Sequence, residues 1–414
     1  MRLNYKPIGE FIREVNSRNS DLSVTKLLGV SMEKCFIPSV ANITGVDLSV
    51  YKILRKDQLA CKLMSVGRDE KLPVDLYREN EPAIVSSAYY VFEPLNKEIL
   101  LPEYLYMWLC RPENDRYIGF ISGGDVRGGI TWETFCNIPI RVPSIEKQRE
   151  IVAEYNVIQN RINLNNRLIN KLEETAQAIY KSWFVDFEFP DQNGKPYKSN
   201  GGEMEFNKEL QKEIPKGWEV EKLKSICSKI GSGATPKGGK ESYKKSGTSL
   251  IRSMNVHDFV FQLDDLAFID DKQAKALENV IVENKDVLLN ITGVSVARCC
   301  RVLSFVLPAR VNQHVMIIRP KSELNLSNYL LCLLCDFENK SKLLGISQSG
   351  STREAITKGE IEEFQISKPC TKIAKCFDDK IESIVKTMEL YIVFGQKLSQ
   401  MKNLLLSKLA TIEN

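Results

Sequence analysis

The sequence predicts an α+β chain with two heads of mixed α/β structure, related by internal duplication and separated by two long antiparallel helices packed as a coiled coil. Three observations lead there. A short phrase recurs 226 residues after its first appearance, each copy is followed by a long stretch poor in proline and glycine, and the segments ahead of both alternate β-rich runs with turns.

The phrase reads "GDVRGGIT" at Gly124–Thr131 and "GSTREAIT" at Gly350–Thr357. Ungapped comparison of Gly119–Pro143 with Gly345–Pro369 gives seven identities in 25 positions, where ordinary composition supplies roughly one or two. Pro94 and Pro320 keep the same spacing, and "EYLYMWL" matches "NYLLCLL" with a one-residue shift, Tyr104 to Tyr329. Duplication is therefore expected through the back half of each head. The front halves look unlike, because Lys216–Trp218 and "GSGATPKGGK" find no counterpart near the N-terminus. Two related frames with different surfaces follow.

The stretches Ile145–Trp183 and Thr371–Leu409 are expected as helices. Alternating steps of four and three in the first pick out Ile151, Tyr155, Ile158, Ile162, Asn165, Ile169, Leu172, Ala176, Ile179 and Trp183, with Asn165 as the exception to the apolar run. The same phase in the second gives Phe377, Ile381, Ile384, Met388, Tyr391, Gly395, Leu398, Lys402, Leu405 and Leu409, with Gly395 and Lys402 as exceptions. A seam of this period suits two helices packed side by side. Each helix could instead lie on its own head, but at 1.5 Å per residue such a helix is on the order of 55 Å long, more than one domain face offers. Because the second head opens where the first helix ends and feeds the second helix, the pair is expected to run antiparallel.

The expected boundaries are a first head at 1–143, its helix at 144–185, a polar linker at 186–213 around "DQNGKPYKSNGG", a second head at 214–369 and a second helix at 370–414. Within the heads, "AIVSSAYYVF", "HVMIIRP", "DVLLNIT" and "CCRVLSFVL" read as strands.

Composition sets broader limits. A chain of 414 residues is too long for one ordinary core, and 43% apolar content suffices for packed domains. Lys+Arg 57 against Asp+Glu 53 permits a nucleic-acid partner without arguing for one. Eleven scattered cysteines and an opening "MRLNYKPIGE" without an apolar core fit a reduced, cytoplasmic protein. No run approaches the ~18 apolar residues of a membrane span.

Several catalytic readings fail. In "GSGATPKGGKE" the interval from Gly233 to Gly239 is one residue too long for a phosphate-cradling loop, and Glu241 stands where a magnesium-binding hydroxyl is required. Cys332 and Cys335 lack a second ligand pair, and the chain has only His257 and His314, so no metal site is expected and buried thiols are the default. Neither a cofactor-binding glycine loop after a strand nor an Asn-Pro-Pro-aromatic tetrad is present, and Asp191 lies far from Glu283 and Lys285. The chain is expected to be non-catalytic.

The order head, long helix, head, long helix, together with "SGGDVRGGITWETFCNIPIRVPSIEKQREIV", "YKSWFVDFEFPDQNGKPY" and "IPKGWEVEKLKSICSKIGSGATPK", resembles the DNA specificity subunit of type I restriction-modification enzymes. The resemblance covers essentially the whole chain. It implies that each head is a target recognition domain reading one half of a split site on double-stranded DNA. It also implies that the helices form a spacer docking two methyltransferase subunits and, in complexes that cleave, two restriction–translocase subunits. S-adenosylmethionine, ATP and magnesium would belong to those partners, with no cofactor in this chain. One departure stands out: the helix-entry residues Pro143, Glu146 and Gln148 are matched in the second copy by Pro369, Lys372 and Ala374, which questions equal docking of the two copies.

Heads held by antiparallel helices meet a duplex with opposite polarity, and half-sites about one turn apart lie ~34 Å from each other. Unlike heads imply unlike half-sites. Arg127 and Arg353 sit in loops of small residues where backbone can approach DNA, with Ser351 and Thr352 as phosphate donors beside the latter. Lys237, Arg252, Thr292 and Arg68 are further DNA-binding candidates, each weighed against an ordinary solvated or ion-paired residue. A helical scaffold without sequence-specific DNA contact is the alternative, which the salt dependence of binding distinguishes.

Overall fold

A computed structural model describes residues 5–39, 45–64, 66–122, 128–348 and 354–409, with Arg68 described in its backbone alone. The chain divides into two compact units, residues 1–162 with 398–414, and residues 163–397. Each contains one head and neighbouring stretches of both long helices.

In the first unit the strands are β1 (Lys6–Pro7), β2 (Ile12–Glu14), β3 (Leu28–Val30), β4 (Phe36–Pro38), β5 (Lys52–Leu54), β6 (Leu59–Cys61), β7 (Val74–Leu76), β8 (Ala83–Val85), β9 (Tyr90–Pro94) and β10 (Pro139–Ile140). Helices α1 (Val66–Asp69), α2 (Pro102–Leu109), α3 (Pro112–Ile121) and α4 (Trp132–Cys136) precede the long α5 (Ile145–Tyr180), which a π-turn at Lys181–Val185 extends. A four-stranded sheet has the order β2-β9-β6-β7. Beside it, β3 pairs with β4 and β5 with β8, and a parallel bridge from Leu27 to Ile84 links the two pairs.

The second unit carries β11 (Met204–Asn207), β12 (Lys212–Pro215), β13 (Glu219–Lys222), β14 (Cys227–Ser232), β15 (Thr248–Ile251), β16 (Ala267–Ile269), β17 (Ile281–Val282), β18 (Val287–Asn290), β19 (Cys299–Arg301), β20 (Ala309–Val311), β21 (Val315–Pro320) and β22 (Gln365–Lys368). Its helices are α6 (Leu223–Ile226), α7 (Asp271–Ala276), α8 (Ser327–Cys335), α9 (Phe337–Gln348), α10 (Lys358–Glu362) and the long α11 (Thr371–Lys408). The sheets run β14-β21-β18-β19 and β16-β15-β20-β17. Strand β18 and the first four residues of β21 are fully buried, and eight of the nine residues of α8 are buried. That is why these segments read as unbroken apolar runs rather than as amphipathic ones.

The heads repeat strand for strand. Phe92 of β9 lies opposite Leu59 of β6, and Ile318 of β21 lies opposite Val287 of β18. Ile84 bridges Leu27 in parallel, and Arg310 faces Leu250 in parallel. Phe92 and Ile318, like Ile84 and Arg310, keep the 226-residue interval. The front halves, which look unrelated in sequence, therefore share the frame, because strand pairing constrains apolarity and direction while leaving residue identity free. The insertions between the strands differ.

One strand expectation changes, and the linker carries structure of its own. "AIVSSAYYVF" is two strands in different sheets, with the chain turning where Tyr89 N–H donates to Ser86 O at 3.1 Å. The expected polar linker 186–213 is ordered: Phe187 and Phe189 are buried, and Phe189 stacks on Trp218 at 5.2 Å and on Tyr197 at 4.6 Å. Strands β11 and β12 then form a hairpin. Two aromatics in a polar stretch outweigh its glycines, since each buries a large apolar area.

Within the second unit α5 and α11 run antiparallel, Asn165 meeting Tyr391 while Phe184 packs edge-on against Phe377 at 4.7 Å. In the first unit Ile151, Tyr155, Leu406 and Leu409 are buried in one cluster, and Lys402 Nζ donates to Gln159 Oε1 at 3.2 Å. Of the expected seam, Phe377, Ile381, Met388 and Leu398 are also buried, whereas Ile158, Ile162, Leu172, Ile179, Ile384 and Leu405 are half-buried. Tyr180, Phe184, Val385 and Leu406 also take deep positions, each one residue off the heptad phase. A straight helix drifts about 20° per heptad from a 3.5-residue repeat.

Candidate nucleic-acid interface

The repeated phrase separates into two parts in the structure. Its Ile-Thr end is structural in both copies. Ile130 N–H donates to Leu63 O at 3.1 Å just after β6, and Ile356 N–H donates to Ile291 O at 2.8 Å just after β18. Thr131 Oγ1 accepts from Thr134 N–H at 3.1 Å and caps α4, while Thr357 Oγ1 accepts from Glu360 N–H at 3.2 Å and caps α10. Gly129 of the first copy is imposed by proximity, since a Cβ there would stand 2.8 Å from Leu63 O, and beside the phrase a Cβ on Gly67 would stand 2.8 Å from Gly128 O. The other part of the phrase holds Arg127 in one copy and Ser351, Thr352 and Arg353 in the other, and all four lie outside the described residues.

In the second head, four backbone segments converge beside that phrase. Gly233 N–H donates to Asn312 O at 3.0 Å, Ile291 N–H to His314 O at 3.0 Å, Asn312 N–H to Ile251 O at 3.0 Å and Gly293 N–H to Glu354 O at 3.0 Å. Gly233 admits no side chain, since a Cβ would fall 1.8 Å from Val311 O. A polar chain crosses this end: Thr235 Oγ1 donates to Gln313 Oε1, Gln313 Nε2 lies 3.0 Å from His314 Nε2, and His314 Nδ1 lies 2.6 Å from Thr292 Oγ1. Beneath it the buried Asn290 amide donates to Ser253 O at 2.9 Å. Val294, next to Gly293, is fully exposed.

Three of the expected DNA-binding residues belong to these segments. Thr292 is half-buried with its hydroxyl engaged by His314. Arg252 folds back, its guanidinium 5.5 Å from the Tyr243 ring centre and donating to Asp265 O, so it is less available than its sequence context suggests. Lys237 is exposed on the segment leaving Gly233, followed by exposed Lys240, Lys244 and Lys245. Lys244 lies 3.4 Å from Asp270, an exposed pair of little energetic weight. Arg68 is on α1, whose Gly67 N–H donates to Gly128 O at 2.7 Å beside the first copy of the phrase. Sequence reasoning passed over Thr235, Gln313 and His314; the available signal was a run of hydrogen-bonding side chains, "NQH", directly ahead of an apolar strand.

A basic, glycine-restricted strand end with oriented hydroxyl, amide and imidazole groups can hold phosphate and read base edges. The residues matched by the family description "Type I restriction modification DNA specificity domain" are 76–174 and 215–394. The chain therefore belongs to the type I restriction-modification DNA specificity family. It is 27% identical over 318 residues to the type I restriction enzyme MjaIX specificity subunit of Methanocaldococcus jannaschii, covering 76% of this chain and 69% of that one. It is 22% identical over 420 residues to the HindI specificity subunit of Haemophilus influenzae, covering 89% of each. The crystal structure of the type I restriction-modification S subunit from M. genitalium shares the fold with a TM-score of 0.57 at 13% identity, over 99% of this chain and 96% of that one.

Proposed function

We propose that this chain is the DNA-reading subunit of a type I restriction-modification complex, each head recognising one half of an asymmetric bipartite site. The observation that carries this reading is the duplicated frame: strand order and register coincide in the two heads, while the segments leaving the strand ends differ. Like frames present DNA with like scaffolds, and unlike loops read unlike bases. The long helices set the separation of the half-sites and dock two methyltransferase subunits, joined by two restriction–translocase subunits where the complex cleaves. Chemistry resides in those partners, which bring S-adenosylmethionine, ATP and magnesium. No helix among the described residues is long and apolar enough to cross a membrane, and a cytoplasmic complex acting on genomic DNA suits eleven free thiols.

Expression with its methyltransferase partner, followed by mapping of modified adenines, tests the proposal. Two unlike half-motifs separated by a fixed run of unspecified bases are expected. A continuous motif would overturn the bipartite reading. Binding that falls steeply with salt and keeps no sequence-specific component would favour a helical scaffold instead.

A further inference from the structure

The two copies of the frame are fastened to their helices by different chemistry. In the first unit the fully buried Gln148 of α5 accepts from Leu101 N–H at 2.9 Å and donates to Ile99 O at 2.8 Å and Pro143 O at 2.9 Å. One amide thus ties the helix entry to the turn ahead of α2. Its buried position takes Gln148 out of the departure noted in the sequence, since a residue sealed inside one unit offers nothing to a docking subunit, and leaves exposed Glu146 and Lys372 as the difference between the copies. The second copy has Ala374 in place of Gln148, also buried, and the amide clamp is missing.

In its place stands a charged network. Arg301 of β19, its side chain only 4% exposed, reaches Glu389 at 2.9 Å, Asn328 of α8 at 3.1 Å and Glu382 through both terminal nitrogens. Asn328 Nδ2 donates to Glu382 Oε2 at 3.0 Å, and Lys285 Nζ lies 3.1 Å from Asp378 and 3.5 Å from Glu382. Burial by itself would raise the Glu382 carboxyl, yet Arg301, Asn328 and Lys285 hold it down at about 2, so Glu382 stays charged under physiological conditions. Asp378, Glu382 and Glu389 face the head along roughly 16 Å of α11. At the matching positions stand Leu76 on β7 and Val152, Asn156 and Asn163 on α5, none of them charged, so among the described residues this charged network belongs to the second copy.

We propose that Arg301 is a positioning residue that holds the second head at one angle on α11 and thereby sets which half-site separations the protein accepts, an inference that rests on the bipartite reading above. Apolar contact is indifferent to small rotations, whereas a guanidinium shared between two carboxylates and an amide reaches all three in one orientation. Apolar burial would hold the head in place without it; the network selects the angle.

The test uses the complete complex with its methyltransferase subunits and a DNA library in which both native half-sites are kept while the spacer is lengthened or shortened by one or two base pairs. Arg301→Met combined with Glu382→Gln and Glu389→Gln removes the charges around the guanidinium at similar volume and leaves the buried Asp378 paired with Lys285. Discrimination against a one-base-pair spacer change is expected to fall from more than about tenfold to less than about threefold, with both half-site sequences unaltered. Arg301→Lys keeps charge but not the planar fork, and is expected to relax the spacer as well. Spacer discrimination as strict as in the unaltered protein, in a triple variant that unfolds cooperatively, would overturn the proposal. So would loss of base preference in the second half-site. If the triple variant does not fold, Glu389→Gln removes one arm alone, and unchanged strictness there overturns the proposal equally. Absence of sequence-specific methylation by the unaltered complex would instead sink the bipartite reading.

Discussion

The buried Asn165 shows how one residue serves register rather than stability. Its amide donates to Tyr391 O at 2.5 Å, its own Oδ1 has no hydrogen-bond partner, and a Cβ on Gly395 would stand 3.1 Å from its nitrogen. Two exceptions in the expected apolar stripes thus face each other, and the third, Lys402, is answered by Gln159. A polar group at such a position specifies alignment at a cost in stability. Asn165→Leu keeps the branching pattern and leaves Tyr391 O in its ordinary helical hydrogen bond. It should therefore raise stability by about 1 kcal/mol in thermal unfolding, while loosening alignment and broadening the association states seen by size-exclusion chromatography. A lower unfolding midpoint would show that the amide is a net stabiliser.

At the scale of elements, α5 carries a second polar liability facing the second head. Burial first, and the Asp258 carboxylate next, push the Glu173 carboxyl up to about 7. A carboxyl whose folded value lies above its unfolded value favours the protonated folded state. The stability it supports is complete below about pH 4.5 and is lost as pH rises through about 7. With part of the shift discounted for solvent screening, the loss is on the order of 1–2 kcal/mol. Glu173→Gln should flatten urea-unfolding stability across that window, and a decline as steep as that of the unaltered chain would refute the assignment. The elements themselves were unequally legible. Long helices and central strands announce themselves because burial demands a period, 3.6 for α5 and α11 or a continuous apolar run for β18 and β21. The hairpin at 204–215 leaves a weak signal, since its strands are four residues each and only half of their residues are apolar.

For the whole molecule the consequence of duplication is that a change in one head should be felt in one half of the target. Lys237 is exposed on the segment joining β14 to β15 of the second head, whose sequence differs from that of the matching segment between β2 and β3. If it meets phosphate, Lys237→Ala should weaken binding about uniformly across base identities and lower the logarithmic salt slope by about 1. Half-site competition would then show the loss with targets bearing the second half-site and not with those bearing the first alone. A loss of equal size for either half would remove Lys237 from this assignment.

The sequence by itself determined the repeat, the two long helices and the family, because periodicity and repeated phrases are properties of order along a chain. Only the tertiary structure decided that the front halves of the heads share one frame, that Ile-Thr in the repeated phrase serves pairing and capping, and that Gln148 and Arg301 perform related fastening by unlike means. Those facts depend on which residues distant in the chain come within hydrogen-bonding reach. Residue 301 meets residues 328, 382 and 389, and a contact of that kind leaves no period or local pattern in the sequence to be read.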